Sequence, residues 1–272
     1  MTTPPAASNT PSPARAVGDL LREWRQRRRM SQLDLALDAE ISTRHLSFVE
    51  TGRATPSRDM VLHLAESLAI PLRDRNVLLV AAGFAPVFPE RRLDDPGLEA
   101  ARRAVDLVLA GYEPYPAVAL DRHWDIIAHN RCIAPFLEGC APELLTPPIN
   151  MVRLSLHPLG IAPRIDNLGE VRAHVLARLR RQIELTADPV LEALLAEVSA
   201  YPVPFSQPHP RKGLEAAELF IPVRLRTATG LLTLISATTV FGTPVDVTLA
   251  ELAIETFLPA DAETAERLRA MA

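Results

Sequence analysis

The stretch SQLDLALDAEISTRHLSFVETGR, residues Ser31 to Arg53, reads as two short helices joined by a tight turn. Ser31 and Ser42 are each placed to accept a hydrogen bond from the N–H groups that the first turn of a helix leaves unpaired. Behind Ser31, Leu33, Leu35, Ala36 and Ala39 supply apolar positions at helical spacing. Behind Ser42, Leu46 and Val49 do the same, and Gly52 ends the second helix. Two helices that cross closely need a small residue at the crossing, which is Ala36 here, and Leu35, Ala39, Ile41, Leu46 and Val49 anchor the pair to the rest of its domain. Upstream, Val17, Leu20, Leu21 and Trp24 mark a helix that ends in RQRRR, Arg25 to Arg29. Downstream, Met60, Val61, Leu64, Ala65 and Leu68 mark another from about Ser57, and Pro71 opens a fifth that runs to Gly83. Residues 15–85 are thus expected to form one all-α domain. Residues 1–14, which are mostly Pro, Ser, Thr and Ala with no charged side chain, are expected to be a disordered leader.

The chain has 272 residues, 48% hydrophobic and 23% charged, which suits two globular domains and excludes wholesale disorder. No apolar run approaches the roughly 18 residues of a membrane helix, and the N-terminus lacks the pattern of a secretory signal. The expectation is a cytoplasmic protein with no membrane partner. Cys132 and Cys140 read as free thiols rather than as a disulfide framework. The net charge is −4, but residues 15–85 hold 11 arginines against 9 acidic residues, which leaves −6 for the remainder. Arg25 to Arg29, with Arg44, Arg53 and Arg58, are expected to give the helical domain a local positive field.

Beyond Ala85 the pattern changes. DDPGLEAARRAVDLVLAG predicts a helix ending at Gly111, so residues 86–113 read as a linker and connecting helix. AVALDRHWDIIAHN alternates like two strands around Asp121-Arg122-His123, and Asn130 is placed to cap a short helix holding Ile133, Phe136 and Leu137. Helical periodicity returns from about Leu168 to Leu185 and from Pro189 to Ser199. LFIPVRLRT, LLTLISATTVFG and LAELAIETFL read as strands, and DAETAERLRAMA as a last helix. Residues 114–272 are therefore expected to form an α+β domain.

On the spacing around Ala36, the opening Ser31-Gln32 and the closing VETGR, residues 15–83 resemble the Cro/repressor, or XRE-like, class of DNA-binding domains. On YEPYPAVALDRHWDIIAHN, NMVRLSLHP, NLGEVRAHVLARLRRQ and VFGTPVDVTLAELAIETFLPAD, the chain from Gly111 onward resembles the PAS-like ligand domain of the MmyB-like transcription regulators. The first resemblance implies a double-stranded DNA operator read by a homodimer. Gln32 would then touch a phosphate, and Thr43, Arg44, Ser47 and Phe48 would face the major groove. Arg44 would suit guanine O6 and N7 and Phe48 a thymine methyl, while Arg53 and Arg58 would hold phosphates. The position where that class commonly has glycine is Glu40, which is unfavourable if the turn needs positive φ.

The second resemblance implies an antiparallel sheet with helices folded over one face, and an apolar cavity between them for a small apolar or fatty-acid-like ligand. Phe136, Leu137, Leu154, Leu176, Leu179 and Leu234 are candidate liners by pattern, and Arg153 and His157 could anchor an acidic head group. No metal or other cofactor is expected, since His123, His129, Cys132 and Cys140 lack a CxxC or HxxxH pairing. Nor is catalysis expected. Glu251 and Glu255 read as solvent-facing neighbours on one strand, and no phosphate loop or nucleophile elbow appears. Two functions remain open: a ligand-responsive transcription factor, or a protein-interaction module whose PAS-like domain docks a partner protein and senses no small molecule.

Overall fold

A computed structural model describes residues 16–202, 221–242 and 244–272. The expected leader at 1–14 lies outside them, as do Leu219 and Phe220 of the first expected tail strand. The chain forms two compact units, one ending at Phe88 and one beginning at Pro89.

The first unit is five helices: α1 (Val17–Arg27), α2 (Gln32–Asp38), α3 (Thr43–Glu50), α4 (Arg58–Ser67) and α5 (Leu72–Ala81). Ser31, Ser42 and Ser57 each accept a backbone N–H from the first turn of the helix that follows, and Ser31 completes a capping box with Asp34. Leu21, Leu35, Leu46, Val49, Val61, Leu64 and Leu79 meet in one fully buried core. Leu33, expected among the apolar positions of α2, is instead 56% exposed, as is Leu37 at 69%. A helix of seven residues buries one stripe, and Leu35, Ala36 and Ala39 already occupy it. Gly18 was not singled out by periodicity. A Cβ there would lie 2.4 Å from the Val49 carbonyl oxygen, so α1 and α3 touch backbone to backbone.

All five helices end alike. The second residue after each takes positive φ, at Arg29, Glu40, Gly52, Ala69 and Gly83, and the next N–H reaches back to the last turn, as in Ile41 N–H to the Ala36 carbonyl. Only two of the five are glycine. Glu40 sits at φ 51°, so the unfavourable turn that its side chain implied is present. Glu40→Gly is expected to raise unfolding stability by about 1 kcal/mol in urea titration. A loss of stability on that substitution would refute this account of the turn.

The second unit is built on a five-stranded antiparallel sheet: β1 (Ala117–Leu120), β2 (Ile126–His129), β3 (Val223–Thr227), β4 (Gly230–Val240) and β5 (Ala253–Pro259), in the order β2-β1-β5-β4-β3. Its helices are α6 (Glu99–Gly111), α7 (Ala134–Leu137), α8 (Met151–Leu156), α9 (Leu168–Thr186), α10 (Pro189–Ser199), α11 (Val247–Ala250) and α12 (Ala262–Met271). The segment between β2 and β3 holds α7 to α10, and it packs on the face carrying Val118, Leu120, Leu225, Leu232 and Leu234. By strand alternation Ala117, Ala119 and Ile254 point the other way, where Val105 and Leu109 of α6 cover them. The helix expected in the connecting segment thus packs on this sheet.

Two local expectations are corrected. Asn130 does not cap the short helix after it. Its amide donates to the Leu109 and Tyr115 carbonyls and its oxygen accepts the Ala117 N–H at 3.1 Å, which fastens the end of α6 to β1. Glu251 follows α11 and lies outside the strand, while Glu255 lies within β5 and is 5% exposed. The two carboxylates are therefore not a solvent-facing pair.

Candidate functional site

In the first unit, the side chains expected to meet DNA fall on α3, in the loop after it, and on the starts of α2 and α4. At about 100° per residue, Thr43, Arg44, Ser47 and Phe48 span roughly 140° of the α3 surface, opposite buried Leu46 and Val49. Arg44 is exposed, and its guanidinium carbon lies 5.4 Å from the centre of the Phe48 ring. The two outward residues at i and i+4 therefore rest on each other. Arg53 follows Gly52, its N–H bonded to the Phe48 carbonyl at 2.8 Å. Arg58 is the first residue of α4, and both side chains are exposed.

Gln32 opens α2, but its side chain is engaged inside the unit. Its amide donates to Oε2 of Glu50 at 2.7 Å. Glu50 is buried, and Arg25 grips it bidentately, Nε to Oε1 at 2.7 Å and Nη2 to Oε2 at 2.9 Å. Burial alone would push the Glu50 carboxyl pKa up. The hydrogen bonds from Arg25 and Gln32, with the charges of Arg25 and Arg22, overcome that and hold it below the ordinary glutamate value. His63 adds a further tie, its Nε2 2.8 Å from the Ala39 carbonyl at the end of α2.

The arginine run does less for the surface field than its density implies. Arg25 is neutralised by Glu50, and Arg27 pairs with Glu23 at 2.7 Å. Arg28 donates to the Leu68 and Ala69 carbonyls, capping α4, and its guanidinium lies over the Trp24 ring. Arg25 and Arg28 thus tie α1 to α3 and to the end of α4, while Arg29 is exposed at the end of the run and Arg44, Arg53 and Arg58 are exposed on α3 and after it.

In the second unit a cavity of about 380 Å³ lies between α8 and α9 on one side and the sheet on the other. Its walls are apolar over most of their extent: Ile133, Phe136, Met151, Val152, Val171, Val175, Val223 and Phe257. Ser155, His174, Arg178, Ser236 and Glu255 are the polar lining residues. Strand register explains the last two. Glu255 pairs with Val118 and Thr238, and Ser236 with Phe257, so these side chains share the helix-covered face.

Arg178 Nη1 donates to Glu255 Oε1 at 2.9 Å, and the Ser236 hydroxyl donates to the same oxygen. The Arg178 guanidinium stacks 4.6 Å from the centre of the Trp124 ring. Trp124 is itself held, its indole N–H donating to Gln182 Oε1 at 2.8 Å while Gln182 donates to the Arg122 carbonyl at 2.7 Å. The β1–β2 turn is thereby fastened to α9. Trp124 has φ 70°, an uncommon conformation for a bulky residue, and it occurs where the chain forms the cavity wall.

Of the eight residues expected at the ligand site, Phe136 lines the cavity. Leu154, Leu176, Leu179 and Leu234 are buried in the surrounding core, and Leu137 packs against it half-buried. Arg153 is held by both oxygens of Glu197, 2.8 Å at the closest, and Tyr201 donates its hydroxyl to the same carboxylate. His157 stands edge-on to the Tyr201 ring, with its Nδ1 accepting the Leu159 N–H. These groups clamp α8 to α10. Among the described residues, no group of three or more His, Cys, Asp or Glu is arranged to hold a metal ion, and no helix is long and apolar enough to cross a membrane.

Comparison with known proteins agrees with this division. Residues 101–271 match the family described as the MmyB-like transcription regulator ligand binding domain, and residues 16–78 match a helix-turn-helix domain. A protein of Methanoculleus marisnigri, whose name describes an HTH-type transcriptional regulatory protein, is 36% identical over 121 residues. That match covers 43% of this chain and 38% of the relative's length.

Proposed function

Because the chain belongs to the MmyB-like transcription regulators, with that family's ligand-binding domain behind a helix-turn-helix, we propose that it reads a specific operator and senses a small ligand. The operator is read as a homodimer through Thr43, Arg44, Ser47 and Phe48, with Arg53, Arg58 and the second amide hydrogen of Gln32, which Glu50 leaves free, on phosphates. The ligand is an apolar or fatty-acid-like molecule, an aliphatic body with one polar end, which occupies the cavity of the C-terminal domain and biases operator binding. The protein acts in the cytoplasm and catalyses no reaction. The carrying observation is the cavity, whose volume and mainly apolar walls suit such a molecule while five polar side chains converge on it.

Native mass spectrometry of the full-length protein as purified tests the ligand. The expected result is a retained small apolar molecule released on unfolding. Protein that carries none, and whose unfolding midpoint no alkyl-chain compound raises, would count against ligand sensing.

A further inference from the structure

We propose that the cavity selects a ligand whose polar end donates a hydrogen bond, such as an amide or hydroxyl, over one ending in a carboxylate, and that Glu255 sets this choice. The inference rests on the ligand-sensing reading above. Both hydrogen bonds that Glu255 accepts from described residues, from Arg178 and from Ser236, end on Oε1. No described residue donates to Oε2, although Glu255 is 5% exposed and lines the cavity. A carboxylate oxygen can only accept, and Oε2, which has no donor and is not sealed from solvent, is open to one that a ligand brings in place of water.

The cation beside it is already committed. Arg178 directs Nη1 to Glu255, Nη2 to the Thr238 hydroxyl at 3.3 Å, and its face to Trp124. A carboxylate entering this site would meet an arginine neutralised by Glu255 and a like charge next to it. A neutral donor leaves the charge balance unchanged and completes Oε2. Ser155 remains to donate to an amide carbonyl, and Val171, Val175 and Phe257 receive the chain.

Decanamide and decanoate share a chain and differ at the polar end. Each is titrated by calorimetry into full-length protein refolded from urea to remove co-purified molecules, at pH 7 and fixed salt. Decanamide is expected to bind at least tenfold more tightly than decanoate. Glu255→Gln, which frees Arg178 while keeping the side chain's shape, is expected to improve decanoate binding at least tenfold. Decanoate binding wild type as well as decanamide does would overturn the inference and leave ligand sensing intact. A folded Glu255→Gln protein with no gain for decanoate would remove Glu255 from its role. Binding of neither compound to wild type would defeat the ligand-sensing reading, and this inference with it. The wild-type comparison decides the matter even if the variant does not fold.

Discussion

Replacing Glu50 with alanine is expected to destabilise the helix-turn-helix unit by about 3–5 kcal/mol, because it leaves the Arg25 guanidinium buried without its counter-charge. Arg25 is 9% exposed and Glu50 2%, so water cannot replace the missing carboxylate without opening the α1–α3 contact. Gln32 loses its partner at the same time. Replacing both ends with apolar groups, Arg25→Met with Glu50→Leu, is expected to be far less harmful than Glu50→Ala alone, since the cost lies in the stranded charge. Urea unfolding of the three proteins measures this, and a Glu50→Ala loss under about 1 kcal/mol would contradict it.

The same carboxylate makes stability depend on pH, and the sign is fixed. The folded pKa lies below the unfolded value of about 4.3, so the contribution is complete above that value and fades as pH falls through the folded one. Wild type is thus expected to lose stability on acidification below about pH 4 more steeply than the double variant.

Arg44→Ala is expected to cost about 1–3 kcal/mol of discrimination at one operator position and to leave preferences elsewhere unchanged. Arg44 is the long, exposed donor on the outward face of α3, and its resting partner is the Phe48 ring, which a base edge can replace. Arg53→Ala should behave otherwise, weakening every sequence alike and lowering the salt slope by about one. Competition binding against single-base operator variants at two salt concentrations distinguishes them. Equal, sequence-independent losses from both variants would place Arg44 on the backbone rather than on a base.

The helical unit was the most legible part of the sequence because its signals are local. Ser31, Ser42 and Ser57 sit next to the helices they cap, and the core residues recur at a spacing that only a helix satisfies. Leu33 misled because a seven-residue helix offers too few positions to tell a buried stripe from its neighbour. The arginine run misled for a different reason: the partners that consume it, Glu50 and the α4 carbonyls, lie 25 to 40 residues away.

The α+β domain was legible as alternation followed by helical period, yet its cavity was not. On α9 the apolar stripe of Leu176 and Leu179 looked like the ligand face, but it packs into the core. The cavity takes the adjacent stripe, Val171, His174, Val175 and Arg178, whose polar members resemble a solvated surface in sequence. Glu255 was hidden in the same way. Alternation shows that it lies opposite its neighbours on β5, but only the distant helix α9, with Arg178 at a separation of 77 residues, turns that face inward.

Operator selection tests the central claim most directly. Full-length protein is offered random-sequence duplexes at physiological salt, and the enriched and unenriched pools are then titrated. The prediction is an enriched motif with two half-sites about 10 base pairs apart, bound at least about 10³-fold more tightly than unselected DNA. Enrichment of no motif, with selected and unselected duplexes bound equally, would contradict it.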